Sequence, residues 1–593
     1  MIQLTLVDRL SSHSFQNPSQ KLLAVRKLYP YEAALVRQHN IKRFYLPALT
    51  VEQQNYFLKE FDNFWDEVID GFDETHRFWR NGIAAKMQEW ERSFGVLLQT
   101  IFALTTVDSN KELQLLVVTN GRMENKIWEN WARLKGWSIQ SSSSRNDLMD
   151  KALNLVLYLK HVLYFIRQKI FSPSLSGLMP LNDSPVTLII SLLYPGKTHD
   201  GPYEDMFFSK IHEFLEKKGE RCIYLVNPLG SLSRLDKKNI FNRRDKVQLI
   251  YSHVSWPAFF LILVRALFNR IHLSKANFMG CDMRVFLEHN AGSFMTPFNI
   301  QSEIYYYVVK EFSKKYKCHR MIYLFEGNSF EKACIQGFRE TSGGKIDAYH
   351  HGVAIPMNLK LRLTPKESQF SPCPDRYICA GALSKQILKN LQKTDKAEFG
   401  DGCALRYVPT ITSHDEGGSV EKNVLIALDG LWTSIHFLEW LIENKEALSA
   451  FKVLIRSHPN VPVKDMIERL IYDFPENFEI SKESLENDLK RSFCVIYRHT
   501  SIGMQAILNN IPAIYVGAGL PLSGDPFFQP VYGKWDVLSC DDLKKALGEI
   551  FQIRKSKWST ESLQNTKDMI KGYFLTPTPS HLESFLSNES SYG

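Results

Sequence analysis

The sequence predicts an α/β protein of two Rossmann-like units facing a cleft, preceded by a helix-rich N-terminal extension. Three observations lead there. From Pro185 onward, short and uniformly apolar runs alternate with helical segments, the pattern of a parallel sheet covered on both faces. A polar interval at 393–422, rich in Gly, Asp and Glu, breaks this alternation, after which it starts afresh. Residues 1–145 instead carry aromatic side chains at three- and four-residue offsets, the spacing of helices on a core.

Within that extension Phe57, Phe61, Phe64, Trp65, Phe72, Phe78, Trp79, Trp90 and Phe94 mark helices over 51–104. Residues 113–119 form a β-type run and 127–134 an amphipathic segment, and the Ser-rich stretch 138–144 reads as a loop. The first Rossmann-like domain spans 146–392, with strands expected at 186–193, 222–226, 247–251, 284–287, 321–325, 346–349 and 377–379. Two of its segments, 148–170 and 256–273, are amphipathic and basic, which suits either core helices or a membrane interface. The interval 393–422 reads as a linker.

The second Rossmann-like domain, 423–553, has expected strands at 424–428, 451–455, 493–497 and 513–516, with helices at 435–448, 462–472, 502–508 and 541–553. Residues 554–593 hold a helix packing back over 561–573 and a tail. Two α/β units joined in this way place a cleft at the carboxyl ends of both sheets, where open α/β folds bind ligands.

Composition bounds the function. With 593 residues, 44% apolar and 23% charged, the chain is long and apolar enough for several cores, which excludes a disordered or collagen-like protein. The net charge of +8 suits an anionic substrate or an anionic membrane surface. No recognition motif accompanies the basic run Arg234, Lys237, Lys238, Arg243, Arg244 and Lys246, so nucleic acid is not an expected partner. Nine scattered cysteines without a C-x-x-C pair read as reduced core residues, and no metal site is expected. The N-terminus lacks a signal-peptide pattern and no apolar run reaches about 18 residues, so a cytoplasmic protein is expected, with peripheral contact to an anionic membrane.

The chemistry concentrates at strand ends. The strand at 451–455 runs into Arg456 and His458, and the strand at 493–497 delivers Arg498, Thr500 and Ser501 to the start of a helix. Cations and free N–H groups at one sheet edge suit a diphosphate or phosphodiester. Asp429 follows the strand at 424–428 and faces the cleft. On the first unit's side, Glu326 follows the strand at 321–325 and is the first choice for an acid, base or acceptor-positioning group. His350 and His351 follow 346–349, and Asp200 is the rival base, with His199 beside it in KTHDG (197–201).

The runs IRSHPN (455–460) and RHTSIGMQAILNNIPAIYVG (498–517) resemble the nucleotide-binding half of GT-B glycosyltransferases, especially those building bacterial surface polysaccharides. Upstream, LFEGNSFEKACIQGF (324–338), YHHG (349–352) and PDRYICAGALSKQIL (374–388) look like the first domain of surface-carbohydrate biosynthesis proteins of capsule and O-antigen type. The resemblance covers about 185–535 and implies the GT-B fold, with the His-Pro turn and the helix start holding the donor's phosphate. It also implies metal-independent transfer of a sugar from a CMP- or NDP-activated donor to a surface-glycan or lipid-linked acceptor, with no cofactor and with domain closure excluding water.

The helix after the phosphate turn has Gln505 where many such enzymes place a ribose-binding Glu, which keeps CMP-activated acidic sugars and NDP-sugars both open. A nucleotide-sugar epimerase or phospho-alditol transferase of the same fold is the nearest alternative. A non-catalytic glycan- or lipid-binding partner is the other.

Overall fold

The structure, a computed structural model, describes residues 2–11, 14–15, 19–24, 26–71, 79–86, 94–108, 112–142, 147–172, 186–196, 198, 203–268, 271–292, 297–355, 357–406, 422–458, 461–555 and 560–586. His199, Asp200, Phe72, Phe78 and Trp90 lie outside the described residues, as do 407–421 of the interval read as a linker.

The N-terminal body holds a sheet as well as helices. Strands β1 (Ile2–Val7), β2 (Lys21–Ala24), β3 (Leu113–Val118) and β4 (Ser138–Ser142) pair in parallel in the order β2-β3-β1-β4. The Ser-rich stretch is therefore a strand, with Ile139 beside Leu4 of β1. As an exposed edge strand it needs few apolar side chains, and composition alone misleads there.

Phe57, Phe61, Phe64 and Trp65 of the helix Val51–Asp70 are buried in the core of this body. The hairpin of β8 (Asn277–Phe278) and β9 (Cys281–Asp282) completes it from the first unit. Phe278 stands edge-on to Phe57, Phe64 and Trp131 at 5.6–6.1 Å, a geometry that suits the ring quadrupoles. Residues 284–287, expected as a strand, belong to the helix Arg284–Asn290, whose first N–H donates to Asp282 at 2.9 Å. Four residues are too few for periodicity to separate strand from helix.

The first Rossmann-like unit contains β5 (Val186–Leu193), β6 (Arg221–Pro228), β7 (Val247–Leu249), β10 (Cys318–Leu324), β11 (Lys345–His350), β12 (Arg376–Cys379) and β13 (Glu398–Asp401). All are parallel, in the order β13-β12-β11-β10-β5-β6-β7. This is a doubly wound sheet with its switch point between β5 and β10. Strand β13 lies in the interval read as a linker, where a polar, Gly-containing edge strand looks like a connector.

Near the amino ends of these strands Arg320 is fully buried. Its Nε donates to Asp347 at 2.8 Å and its Nη1 to Glu220 at 3.0 Å, while Arg376 donates to the other oxygen of Asp347 at 2.8 Å. The network ties β6, β10, β11 and β12 together at the end opposite the ligand edge.

The second unit contains β14 (Asn423–Ala427), β15 (Lys452–Arg456), β16 (Phe478–Ile480), β17 (Ser492–Tyr497), β18 (Ala513–Val516) and β19 (Lys534–Val537). They too are parallel, in the order β16-β15-β14-β17-β18-β19. Its switch point lies between β14 and β17. Both edge strands are short and were not singled out in the sequence, and the helix expected over 462–472 is confined to Val463–Ile467. All nine cysteines are free thiols.

The expected fold class, two parallel α/β units facing a cleft, is what the chain adopts. The helix Thr560–Tyr573 returns to the first unit. There the Leu575 N–H donates to the Ala380 carbonyl at 2.9 Å, and the Leu575 carbonyl accepts from Ala404 at 2.8 Å.

The N-terminal body touches both units. It meets the first through Arg362–Asp62 and Lys86–Glu367, each at 2.6 Å. It meets the second through the buried pair Arg43–Glu439 at 2.5 Å and through Arg469, which donates to the Leu28 carbonyl at 2.9 Å.

Candidate functional site

Strand register builds the centre of the site. In the second sheet Ala427 of β14 lies beside Arg456 of β15 on one side and Tyr497 of β17 on the other. Carried two residues further, the same register sets Asp429 between His458 and His499, at the carboxyl edge and next to the switch point. The imidazole Nδ1 of His499 meets the Asp429 carboxylate at 2.7 Å, and both side chains are buried.

Burial alone would raise the Asp429 carboxyl. The bonds from His499, from the Ser434 hydroxyl and from the Leu431 N–H hold it below the ordinary range instead. The Nε2 of His499 has no hydrogen-bond partner among the described residues. His458 is lowered, mainly by burial.

Two glycines permit this packing. A Cβ on Gly430 would lie 2.7 Å from Nδ1 of His458, and one on Gly524 would overlap the His499 ring at 1.9 Å.

A cavity of about 290 Å³ opens here, lined by Asp429, His458, His499, Thr500 and Ser501 of the second unit and faced by Val353, Ile355 and Asn358 of the first. It sits where the carboxyl edges of the two sheets meet, the expected ligand position. On its far side His499 also walls a more apolar cavity of about 120 Å³, closed by Leu23, Phe44 and Tyr45 of the N-terminal body.

The first unit contributes a second group by the same register rule. Leu324 of β10 lies beside Tyr349 of β11, so Glu326 and His351 follow side by side, with 4.0 Å between Oε1 and Nε2. Nε2 of His351 also meets the Arg406 guanidinium at 3.0 Å. Burial holds His351 down at about 3, so it is neutral across the physiological range.

Glu326 is lowered: burial opposes its charge, but Lys360, a bond from Asn328 and Arg406 outweigh it. The charge of Arg406 also acts on His458. His350 is buried, with Nδ1 at 3.3 Å from the Phe325 carbonyl, and burial lowers it.

Beneath Glu326 lies Glu331, which accepts from the Glu326 and Gly327 N–H groups at 3.1 and 3.0 Å and from Asn328 at 2.9 Å. Burial, with the Glu326 charge added, still pushes it up to about 8. A folded-state value above the unfolded one means stability is fully present below the ordinary carboxylate range and lost as pH rises to about 8. The melting temperature is therefore expected to fall between about pH 5 and 8, and Glu331→Gln, which cannot ionise, to flatten that slope. A variant that melts with the parent's slope refutes this.

Of the residues singled out in the sequence, the structure brings Asp429, His458, Thr500 and Ser501 together on one cavity, while Glu326, His350 and His351 stand at the carboxyl edge of the first sheet and are not on that cavity's wall. Two arginines are committed elsewhere. Arg456 pairs with Asp488 at 2.9 Å and donates to the Glu483 carbonyl at 2.8 Å. Buried Arg498 donates to the Val516 and Ala518 carbonyls at 3.0 and 2.5 Å and lies over Phe437.

Neither arginine lines the cavity, and Gln505 does not line it either. The position that reaches it is His499, one residue beyond the arginine chosen for its charge. From the strand ends expected in the sequence, 428, 455 and 497, Asp429, His458 and His499 lie at unequal distances, and only the paired register makes their offsets equal. Arg406, inside the polar interval read as a linker, carried no such signal.

No family model matches the chain, and no curated protein matches it. Solved structures similar to it include a glycosyltransferase from Rickettsia africae ESF-5, at 13% identity over 67% of this chain and 96% of that one, with a TM-score of 0.35. A UDP-GlcNAc 2-epimerase from Methanocaldococcus jannaschii is 11% identical over 65% and 99%, with a TM-score of 0.36. A mutant of S. aureus TarM in complex with UDP and alpha-GlcNAc-glycerol is 10% identical over 68% and 99%, with a TM-score of 0.38. Likeness this distant adds no weight to a function, which rests on the chain's own site.

Proposed function

We propose that the chain is a glycosyltransferase that moves a sugar from a nucleotide-activated donor to a glycan or lipid-linked acceptor hydroxyl. The observation that carries this reading is the cavity between the two sheet edges, with the Asp429–His499 pair and His458 on one wall and the first unit on the other. The donor's phosphate lies against His458, Thr500 and Ser501. Glu326, ionised and on the first unit, takes the proton of the acceptor hydroxyl as that oxygen bonds to the anomeric carbon. The bond from that carbon to the phosphate oxygen breaks, and His499, held by Asp429, supplies a proton to the departing phosphate. Arg406, beside His351, adds positive charge that acts on both Glu326 and His458.

Thermal-shift titration with CMP, UDP, GDP and dTDP tests the reading. One nucleotide is expected to stabilise the protein, by about 2.7 kcal/mol at a hundredfold excess over its Kd. His458→Ala is expected to remove that shift, and Glu326→Gln to keep it while abolishing transfer to an acceptor. A nucleotide sugar converted with no acceptor present marks an epimerase instead, and no response to any of the four nucleotides refutes the proposal.

A further inference from the structure

Two helices of the first unit present a large apolar face to solvent. On Asp147–Ile170, Leu155, Leu159 and Leu163 recur every fourth residue and form one stripe, with Leu163 64% exposed. On Trp256–Phe268, Trp256, Phe260, Val264 and Phe268 do the same, with Phe268 70% exposed.

The helices are neighbours, because the Tyr158 hydroxyl donates to the Leu263 carbonyl at 2.8 Å and Lys169 reaches the Tyr251 carbonyl at 2.8 Å. Exposed apolar side chains scattered singly need no explanation, but a contiguous face on two adjacent helices does.

Charge selects the occupant. Residues 151–171 and 256–275 contain no Asp or Glu, while Lys151, Lys160, Arg167 and Arg265 are exposed along them. At the end of the first helix a cavity of about 200 Å³ has Arg167 and Lys237 on its wall beside Ser172 and Ser231, and among the described residues no acidic side chain lines it. The Lys237 ammonium stands 4.1 Å over the Phe171 ring, itself exposed. The neighbouring helix Arg234–Asn242 adds Arg234 and Lys238. An apolar stripe bordered by cations, with a cationic pocket at its end, matches acyl chains below and phosphate headgroups above. Among the described residues no helix is long and apolar enough to cross a membrane, so the contact is made by lying on the surface.

We propose that the helices Asp147–Ile170 and Trp256–Phe268 dock the protein on an anionic phospholipid bilayer, with the Arg167–Lys237 pocket holding a lipid headgroup phosphate. The proposal goes beyond the transferase reading and does not depend on it.

Flotation of the full chain with vesicles tests it. Binding is expected to phosphatidylglycerol mixed with phosphatidylcholine, not to phosphatidylcholine alone, and is expected to weaken as salt rises. Leu163→Glu with Phe260→Glu is expected to abolish flotation. Lys237→Gln and Arg167→Gln, which leave the apolar face intact, are each expected to weaken it about fivefold, the effect of about one cation near the surface. An unchanged melting temperature shows that each variant is folded.

Equal binding to neutral vesicles, or none to either kind, overturns the proposal. So does a dimer in sedimentation that the Leu163→Glu and Phe260→Glu changes dissociate, since the face would then belong to a second copy of the chain.

Discussion

Asp429→Asn is expected to lower turnover by about 10³–10⁴-fold while the nucleotide-induced thermal shift survives. The Oδ1 side of Asp429 accepts from Ser434 and the Leu431 N–H, so an asparagine keeps its carbonyl oxygen there. Its amide nitrogen then replaces Oδ2, the atom that meets Nδ1 of His499. A donor facing Nδ1 removes the carboxylate that stabilises the imidazolium and leaves a neutral ring with its one proton on Nε2, and giving that proton up would leave an imidazolate, so the ring no longer serves as the acid. His499→Ala is expected to lose about 10²–10⁴-fold. If the two groups act as one unit, the double variant falls no further than the worse single one. Single-turnover transfer assays check all three, and Asp429→Asn within about tenfold of the parent sinks the assignment.

Arg320→Met is expected to destabilise the first unit by about 3–5 kcal/mol, among the largest effects of any single substitution in the chain. The guanidinium is buried between Asp347 and Glu220, and its loss strands two carboxylates that keep only Arg376 and the Thr187 hydroxyl as partners. Most of the effect is the penalty of leaving charge uncompensated in the core, rather than the net contribution of the pair. Replacing Asp347 by Asn and Glu220 by Gln in the same chain is therefore expected to recover a large part of it. Urea unfolding of the single and triple variants decides the matter. A single variant within about 1 kcal/mol of the parent shows that the network carries little.

Much of the architecture was legible because buried parallel strands are uniformly apolar, and this signal survives without partners or alignment. The central strands β5, β6, β14, β15 and β17 announce themselves in that way, and β10 and β11 do so apart from the buried pair Arg320 and Asp347. Edge strands do not: β4, β13, β16 and β19 have one side open to water, so their sequences look like loops or linkers. The site was half legible. Strand ends pointed to Asp429, His458 and Glu326, because ligand edges in such folds lie where strands stop.

Charge misdirected the rest. Arg456 and Arg498 looked like phosphate ligands, but each satisfies buried acceptors of its own unit, whereas the neutral-looking His499 reaches the cavity. Which of two adjacent residues faces the gap depends on strand register, a property of paired strands that no single strand carries.

The N-terminal body, joined to one unit by Arg362–Asp62 and to the other by Arg43–Glu439, turns two plates into a three-cornered truss. Two plates joined along one edge have a soft swing, but three bodies sharing three edges have none unless a strut is broken. Breaking the Arg43 strut would strand a buried carboxylate, a penalty on the scale of several kcal/mol. A change in the width of the gap between the sheets therefore strains the Arg43–Glu439 and Arg362–Asp62 contacts. Any relative movement of the two sheet edges is then coupled to the packing of the N-terminal body.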